Sequence, residues 1–344
     1  MASKKVTIHD IARILKIDSS TVSRALNDSP RVKKKTKDKI IAAANELGYQ
    51  RNQLASSLRK SKTNTIGVIV PRISRYFFSS AIAGIEETAY KLGYNVIICQ
   101  SLEKVERERE LVDTLLAYRV DGLLISVSME TRNYDHLESL KIRKTPHVFF
   151  DRHCDIPNNS NVLIDDFQAG YDATQHLISN GYKSIAHFCG PLEMELYKNR
   201  FNGYVAALKD NEIPFNKELV IESRLMTEDG VNCIEEILLL PYKVDAVFSA
   251  NDIAAIGAIK YLKRKGIKIP EDIAFVGFSN EPMSSIIEPA LTTINQSGSE
   301  IGKKATQLLI SIINNDNEEI NNETIIVKSQ LIERQSSKHV KQKG

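Results

Sequence analysis

From Ile66 onward, short apolar runs alternate with stretches of helical periodicity, and the alternation occurs twice. The first series of runs is Ile66–Val70, Asn95–Cys99, Gly122–Ser126 and His147–Phe150. The second is Ser184–Phe188, Asp245–Ser249 and Ile273–Gly277. Helical patterns over Ser79–Leu92, Glu106–Tyr118, Phe167–Asn180 and Ile253–Lys265 lie between them. Strands alternating with helices imply βαβ units and parallel sheets. The pattern predicts an α/β fold with two such halves and a cleft between them. A late strand around Leu291–Asn295 is expected to cross back to the first half. The helix near Ile301–Ile313 should complete that half, and Thr324–Leu331 should return to the second.

Ahead of this body lies a segment of different character. Residues 1–65 hold fifteen Lys and Arg but five Asp and Glu, whereas the whole chain holds 46 and 43. The body is therefore mildly acidic and the head strongly basic, the electrostatic footprint of a nucleic-acid reader joined to something else. A chain of 344 residues suits two or three domains. Its 42% hydrophobic and 26% charged content is ordinary for a soluble protein. Cys99, Cys154, Cys189 and Cys233 form no CxxC or Cys/His cluster and read as reduced, mostly buried thiols. The N-terminus lacks the apolar core of a signal peptide, and no segment approaches the ~20 apolar residues that span a bilayer. A cytoplasmic location is expected, with no membrane contact.

Within the head, Thr7 and Asp10 have the spacing of a capping box, and Ile8, Ile11, Ala12 and Leu15 make one apolar face of a first helix. Asp18 is placed to cap a second helix, Ser19 to Asn27, with Val22, Ala25 and Leu26 inward. Ser19, Ser20, Thr21, Ser23, Arg24 and Asn27 then point outward or flank a groove. After Pro30 a third helix runs from Lys34 to Leu47 and stops at Gly48 in the C′ position. Two short helices joined by about three residues form a unit whose second helix enters the major groove. Short hydroxyl side chains let the backbone come close, and an arginine one turn on bonds guanine bidentately. A three-helix protein-interaction module fits the same periodicity.

Thr7-Ile8-His9-Asp10-Ile11-Ala12, Ser20-Thr21-Val22-Ser23-Arg24-Ala25-Leu26-Asn27 and Ala44-Asn45-Glu46-Leu47-Gly48-Tyr49 resemble the lactose-repressor (LacI/GalR) family, and the resemblance covers nearly the whole chain. It implies base contacts from Ser19, Ser20 and Arg24 and phosphate contacts from Thr21, Ser23 and Asn27. Thr7, Asn52 and Ala55 join the expected DNA-facing set. It also implies that the short pattern Asn52–Arg59 is a hinge helix that orders only on the operator, since so short a helix is unstable alone. The leucine matching Leu58 would wedge into a minor-groove base step. This chain departs from the family at Lys16, in place of a turn glycine, at Arg51 for proline and at Ser56 for a frequent arginine.

The body resembles periplasmic sugar-binding proteins, relatives of this family's core. In open α/β sheets ligands sit beyond the carboxyl ends of the strands. Residues just after the strands are Phe77, Phe78, Ser126, Asp151 and Arg152 in the first half. In the second they are Asn251, Ser279 and Gln296, with Arg200 taken as opening a helix. An aromatic face, an arginine and planar amides and carboxylates suit a polyhydroxylated ligand. The family places effector contacts at Phe77 or Phe78, Asp151, Arg200, Asn251 and Gln296, while Ser279 stands where many relatives have aspartate. For single residues the plainer readings are core aromatics, strand-end caps at Asp151 and Asn251, and a local ion pair at Arg200. Asp165-Asp166 reads as a helix cap and His187 as a packed core residue.

The expected organisation is a helix-turn-helix domain over 1–50, a hinge helix and linker over 51–64, a periplasmic-binding-protein-like core over 65–335, and a tail over 336–344. The core's subdomains are expected at roughly 65–163 with 293–322 and 164–292 with 323–335. The expected function is a homodimeric, DNA-binding transcription regulator, a repressor on a pseudo-palindromic operator. A small effector, carbohydrate in chemistry, or a protein corepressor would control it. A solute-binding protein would need export and would not need the head. An enzyme such as a sugar kinase would need a phosphate-cradling loop, and no Walker or Gly-rich fingerprint follows a strand. No catalytic residue, cofactor or metal is expected, and the tail lacks the leucine heptads of a tetramer.

Overall fold

The computed structural model describes residues 6–49, 62–154, 159–315 and 322–338. Two compact units divide the chain, Met1–Thr63 and Asn64–Gly344. In the first, helices α1 (Ile8–Leu15), α2 (Ser19–Leu26) and α3 (Lys34–Glu46) close around Ile11, Val22 and Ile40, all fully buried. Thr7 donates its backbone N–H and its hydroxyl to the Asp10 carboxylate, at 2.9 and 2.7 Å. The Asp18 carboxylate caps α2 by accepting from the Ser20 N–H at 2.7 Å. Between the two helices, Lys16 adopts φ 52°, ψ 45°, the left-handed conformation that a glycine takes more cheaply. Gly48 ends α3 at φ 64°.

The second unit alternates β1 (Thr65–Val70), α4 (Tyr76–Lys91), β2 (Asn95–Gln100), α5 (Val105–Ala117), β3 (Gly122–Ile125), α6 (Glu138–Ile142), β4 (His147–Phe150) and β5 (Ser160–Ile164). It continues with α7 (Asp166–Ser179), β6 (Ile185–Cys189), α8 (Glu195–Asp210), β7 (Val220–Glu222), α9 (Thr227–Leu238), β8 (Ala246–Ser249), α10 (Asp252–Arg264) and β9 (Ala274–Phe278). The last elements are α11 (Pro282–Ile286), β10 (Thr292–Asn295), α12 (Gly298–Asn314), β11 (Thr324–Val327) and β12 (Gln330–Ile332). Two sheets result, ordered β11-β5-β4-β3-β1-β2 and β12-β10-β9-β8-β6-β7. Every pairing is parallel except β10 with β12. Helices cover both faces, so the central strands are apolar along their whole length, as in Val68, Ile69 and Val70 or Phe275 and Val276.

Two sequence expectations need correction. The strand Thr292–Asn295 belongs to the second sheet, not the first: Thr292 and Ile294 register with Val276 and Phe278, and Leu291 enters the second lobe's core. The chain changes lobes only after this strand, through Ser297 at φ 54°. The segment Thr324–Leu331 is split. Thr324–Val327 pairs with β5 in the first sheet, and only Gln330–Ile332 joins the second, because Lys328 and Ser329 interrupt the apolar run. A subdomain limit at 293 therefore cuts through β10, and one at 323 assigns β11 to the wrong lobe.

Helix α12 does complete the first lobe, buried along Ile301, Ala305, Leu308 and Leu309. It lies backbone to backbone against α4. A Cβ at Gly84 would stand 2.1 Å from the Ser299 carbonyl oxygen, and one at Gly302 would stand 2.1 Å from that of Ala81. Among the described residues no helix is long and apolar enough to cross a membrane, and no group of His, Cys, Asp and Glu is placed to hold a metal ion.

Candidate functional site

Helix α2 turns Val22 and Ala25 into the small core and leaves Ser20, Arg24 and Asn27 exposed. Ser19, Thr21 and Ser23 are half-buried on its flanks, and Thr7 is exposed at the start of α1. The Asn27 amide donates to the Ser23 carbonyl at 2.7 Å, which fixes the end of the helix. Hydrogen bonds from Ser20 and the charge of Arg24 hold the Asp18 carboxyl below its ordinary range. Arg31, Lys33, Lys34 and Lys35 are exposed beyond the helix, so the unit presents many cations at its surface. Asn52, Ala55 and Leu58 lie outside the described residues.

The second candidate site is a cavity of about 240 Å³ lined from both lobes. Its walls are the segments that follow the carboxyl ends of the strands. Phe77, Phe78, Asp151, Arg200, Asn251, Ser279 and Gln296 all line it. Ser126 does not. Its N–H continues the strand ladder to the Ile69 carbonyl at 2.9 Å, and its side chain is fully buried with Oγ lacking a partner.

Phe77 and Phe78 sit in the first turn of α4, edge to face at 5.2 Å between ring centres. Arg200 lies in the second turn of α8 rather than opening a helix, and is 3% exposed. Its Nε donates to Asp166 at 2.7 Å and its Nη1 to the Ala250 carbonyl at 3.0 Å, with the guanidinium 3.6 Å above the Phe278 ring. The local ion pair is thus real, and it orients the arginine rather than removing it from the cavity. Asn251 caps α10 by accepting from the Ala254 N–H at 2.9 Å, and donates to the Leu225 carbonyl at 2.9 Å. It too is both a cap and part of the lining. Asp165 caps α7, whereas Asp166 serves Arg200. His187 is a core residue, Nδ1 bonded to the Phe248 carbonyl at 3.0 Å, and burial pushes its pKa down to about 4.

A polar chain crosses the lobes. The Ser279 hydroxyl donates to Gln296 Oε1 at 2.7 Å, and Gln296 Nε2 faces Asp151 Oδ1 at 3.4 Å. Burial raises the Asp151 carboxyl to about 6, against the pull of Arg152 and Arg200. Arg152 pairs with Glu103 at 2.7 Å; burial opposes its charge, but Glu103, Tyr197 and Asp151 outweigh it and raise its pKa. Asp151 at φ 62° and Ser279 at φ 101° occupy the left-handed region without being glycine. Strain of this kind concentrates where side chains are aimed at a ligand.

Sequence reasoning missed Arg72, Arg75, Tyr197, Arg224 and Glu281 in the lining. Arg72 and Arg75 follow β1 directly, so the strand-end rule that found Phe77 and Phe78 would have reached them. Tyr197 stands in the first turn of α8, ahead of the start that the sequence suggests at Arg200, and Arg224 follows a strand too short for its apolar run to register.

Head and core together define a DNA-binding transcription regulator, a helix-turn-helix unit joined to a periplasmic-binding-protein-like sensor. The sequence profile of bacterial regulatory proteins of the lacI family matches residues 7–52. That of the periplasmic binding proteins and sugar binding domain of the LacI family matches residues 63–335. The chain is 33% identical over 314 residues to the HTH-type transcriptional repressor PurR of Pasteurella multocida, covering 91% of this chain and 93% of that protein. The Lac repressor dimer bound to operator and the anti-inducer ONPF superposes with a TM-score of 0.86 at 26% identity, covering 97% and 99% of the two chains. A LacI-family regulator from Enterococcus faecium with bound ribose gives 0.71 at 31%, covering 80% and 100%. The chain belongs to the LacI family of bacterial regulatory proteins.

Proposed function

We propose that two copies of this chain bind the halves of a pseudo-palindromic operator and repress transcription, and that a small polyhydroxylated ligand in the core cavity sets operator affinity. The observation that carries the reading is the way α2 is held, with its apolar side locked into the head and Ser20, Arg24 and Asn27 left facing outward. In this reading Ser19, Ser20 and Arg24 read bases, while Thr7, Thr21, Ser23 and Asn27 hold phosphates. Residues 51–64 act as hinge and linker, Asn52 and Ala55 face the DNA, and Leu58 wedges into the minor groove. The Lac repressor's dimer on its operator supports the dimeric assembly, and the ribose seen in the Enterococcus relative supports the ligand class. Phe77 and Phe78 offer an apolar wall for a sugar face, and Asp151, Asn251, Gln296 and Arg200 offer planar hydrogen-bonding groups for its hydroxyls.

The test is a gel-shift titration of the full chain against a duplex selected from random sequence. Losing one bidentate arginine–guanine contact costs about 1–3 kcal/mol per half-site. Arg24→Ala is therefore expected to weaken specific binding at least tenfold, and Leu58→Ala to do likewise, with the melting of the core unchanged. Specific affinity unaltered by both substitutions would overturn the proposal.

A further inference from the structure

The charge of the cavity says more about the ligand than its hydroxyl-binding groups do. Seven lining side chains are basic and four acidic. Most of the basic groups are spoken for: Lys104 pairs with Glu130, Arg132 with Glu193 at 3.7 Å, Arg152 with Glu103 and Arg200 with Asp166. Arg72, Arg75 and Arg224 form no ion pair among the described residues. Arg72 follows β1, Arg75 precedes the first turn of α4, and Arg224 follows β7 in the other lobe.

Arg72 and Arg75 lie close together in the first lobe, and Arg224 lines the cavity from the second. Arg75 Nη2 reaches across the lobes to Met226 Sδ at 3.0 Å, two residues from Arg224. A thioether is a weak acceptor for so strong a donor. Arg72 is near enough to Arg75 for its like charge to oppose that of Arg75, while burial also disfavours the Arg75 cation. Glu281 and Glu103 are both drawn to Arg75, but Glu103 is already paired with Arg152, which leaves Glu281 to offset one of three positive charges. Arg72 and Arg75, half-buried like charges, and the exposed Arg224 outnumber the carboxylates left to them, and they match the forked recognition of phosphate or carboxylate by arginine.

We propose that the effector is an anionic carbohydrate, a polyhydroxylated frame bearing a phosphate ester or carboxylate, with its anionic end between Arg72, Arg75 and Arg224 and its hydroxyls toward Asp151 and Gln296. The inference rests on the reading of this cavity as the effector site.

Calorimetric titration and thermal shift of the full chain test it with matched probes: glucose, glucose 6-phosphate and gluconate; ribose and ribose 5-phosphate; and inorganic phosphate alone. The expected result is that an anionic probe binds at least tenfold tighter than its neutral partner and that inorganic phosphate competes with it. Arg75→Gln and Arg224→Gln should each shrink that ratio about tenfold or more, and Arg224→Lys should restore part of it. Arg224 is exposed, so its substitution leaves folding out of the comparison. The proposal is overturned if neutral probes bind as tightly as anionic ones, if no anion binds, or if the preference survives both glutamine substitutions. Neutral-sugar binding that Asn251→Ala weakens would overturn the anionic ligand and keep the effector site. Binding indifferent to every cavity substitution would remove both.

Discussion

Asp151 is asked to satisfy three conditions at once. It holds a left-handed backbone at φ 62°, it is buried beside Arg152 at 3.9 Å, and its carboxylate faces the Gln296 amide. Ser279 sets that amide's orientation, since its hydroxyl occupies Oε1 and leaves Nε2 to point at Asp151. The serine thus serves to position a neighbour. Burial lifts the Asp151 pKa from 3.8 to about 6, so the folded protein holds this proton more tightly than the unfolded chain does. By linkage, Asp151 on its own lowers stability as pH rises from about 4 through about 6, and ligand hydroxyls that donate to the carboxylate regain part of that loss. A ligand without a group titrating in this window, such as gluconate, should bind about tenfold more weakly at pH 5 than at pH 7, because only about a tenth of the carboxyl is ionised at the lower pH. Titration calorimetry across pH 5–8 checks this, and Asp151→Asn should flatten the profile.

The contact between α4 and α12 shows what an element-level constraint looks like when no side chain fills the gap. Gly84 and Gly302 each bring a backbone carbonyl to where a Cβ would stand, 2.1 Å away. Gly84→Ala must push the helices apart, and overpacking of this sort costs roughly 1–3 kcal/mol. Urea denaturation of the full chain should show the core transition destabilised by that amount, and no loss would mean the helices slide freely. This close approach was not legible in the sequence, because glycine in a helix gives no periodic signal. What was legible followed from period and length. The long runs Ile66–Val70 and Ile273–Gly277 registered as strands, and the helices that follow β1, β2, β5 and β8 came within a few residues of their bounds. The strands Ser160–Ile164 and Val220–Glu222 did not, since one mixes polar with apolar residues and the other has three residues. The sheet membership of Thr292–Asn295 is hidden in the sequence for a different reason. Its residues fit either sheet, and only the turn at Ser297 places the crossing after it. In the cavity, strand-end logic found seven lining residues. It failed at Ser126, where the ladder runs on past the expected end of the strand and the side chain is enclosed.

At the scale of the whole molecule, the two lobes of the core are joined by three crossings, at Ile164–Asp166, Asn295–Gly298 and Val327–Gln330. Side-chain contacts bridge them at the cavity: Arg75 to Met226 at 3.0 Å, Gln296 to Asp151 at 3.4 Å, His153 to Glu195 at 3.2 Å and Arg132 to Glu193 at 3.7 Å, with Met129 of the first lobe packed against the core of the second. An exposed pair such as Arg132 with Glu193 contributes about 0–1 kcal/mol and does not lock the lobes. Three short connections between two lobes suit hinge closure on a ligand that touches both. On the proposed function, closure and operator binding draw on one equilibrium, and thermodynamics then fixes their relation. If the ligand changes operator affinity by some factor, the operator must change ligand affinity by the same factor, a coupling of about 1–3 kcal/mol or 5–150-fold. Ligand titrations of the full chain, free and saturated with operator duplex, should give a ratio of dissociation constants equal to the ratio from operator titrations with and without ligand. Equal ligand affinity in both states, beside an operator affinity that the ligand shifts, would show that the ligand acts at a second site or binds the DNA itself, because a single linked equilibrium has no other way to break that symmetry.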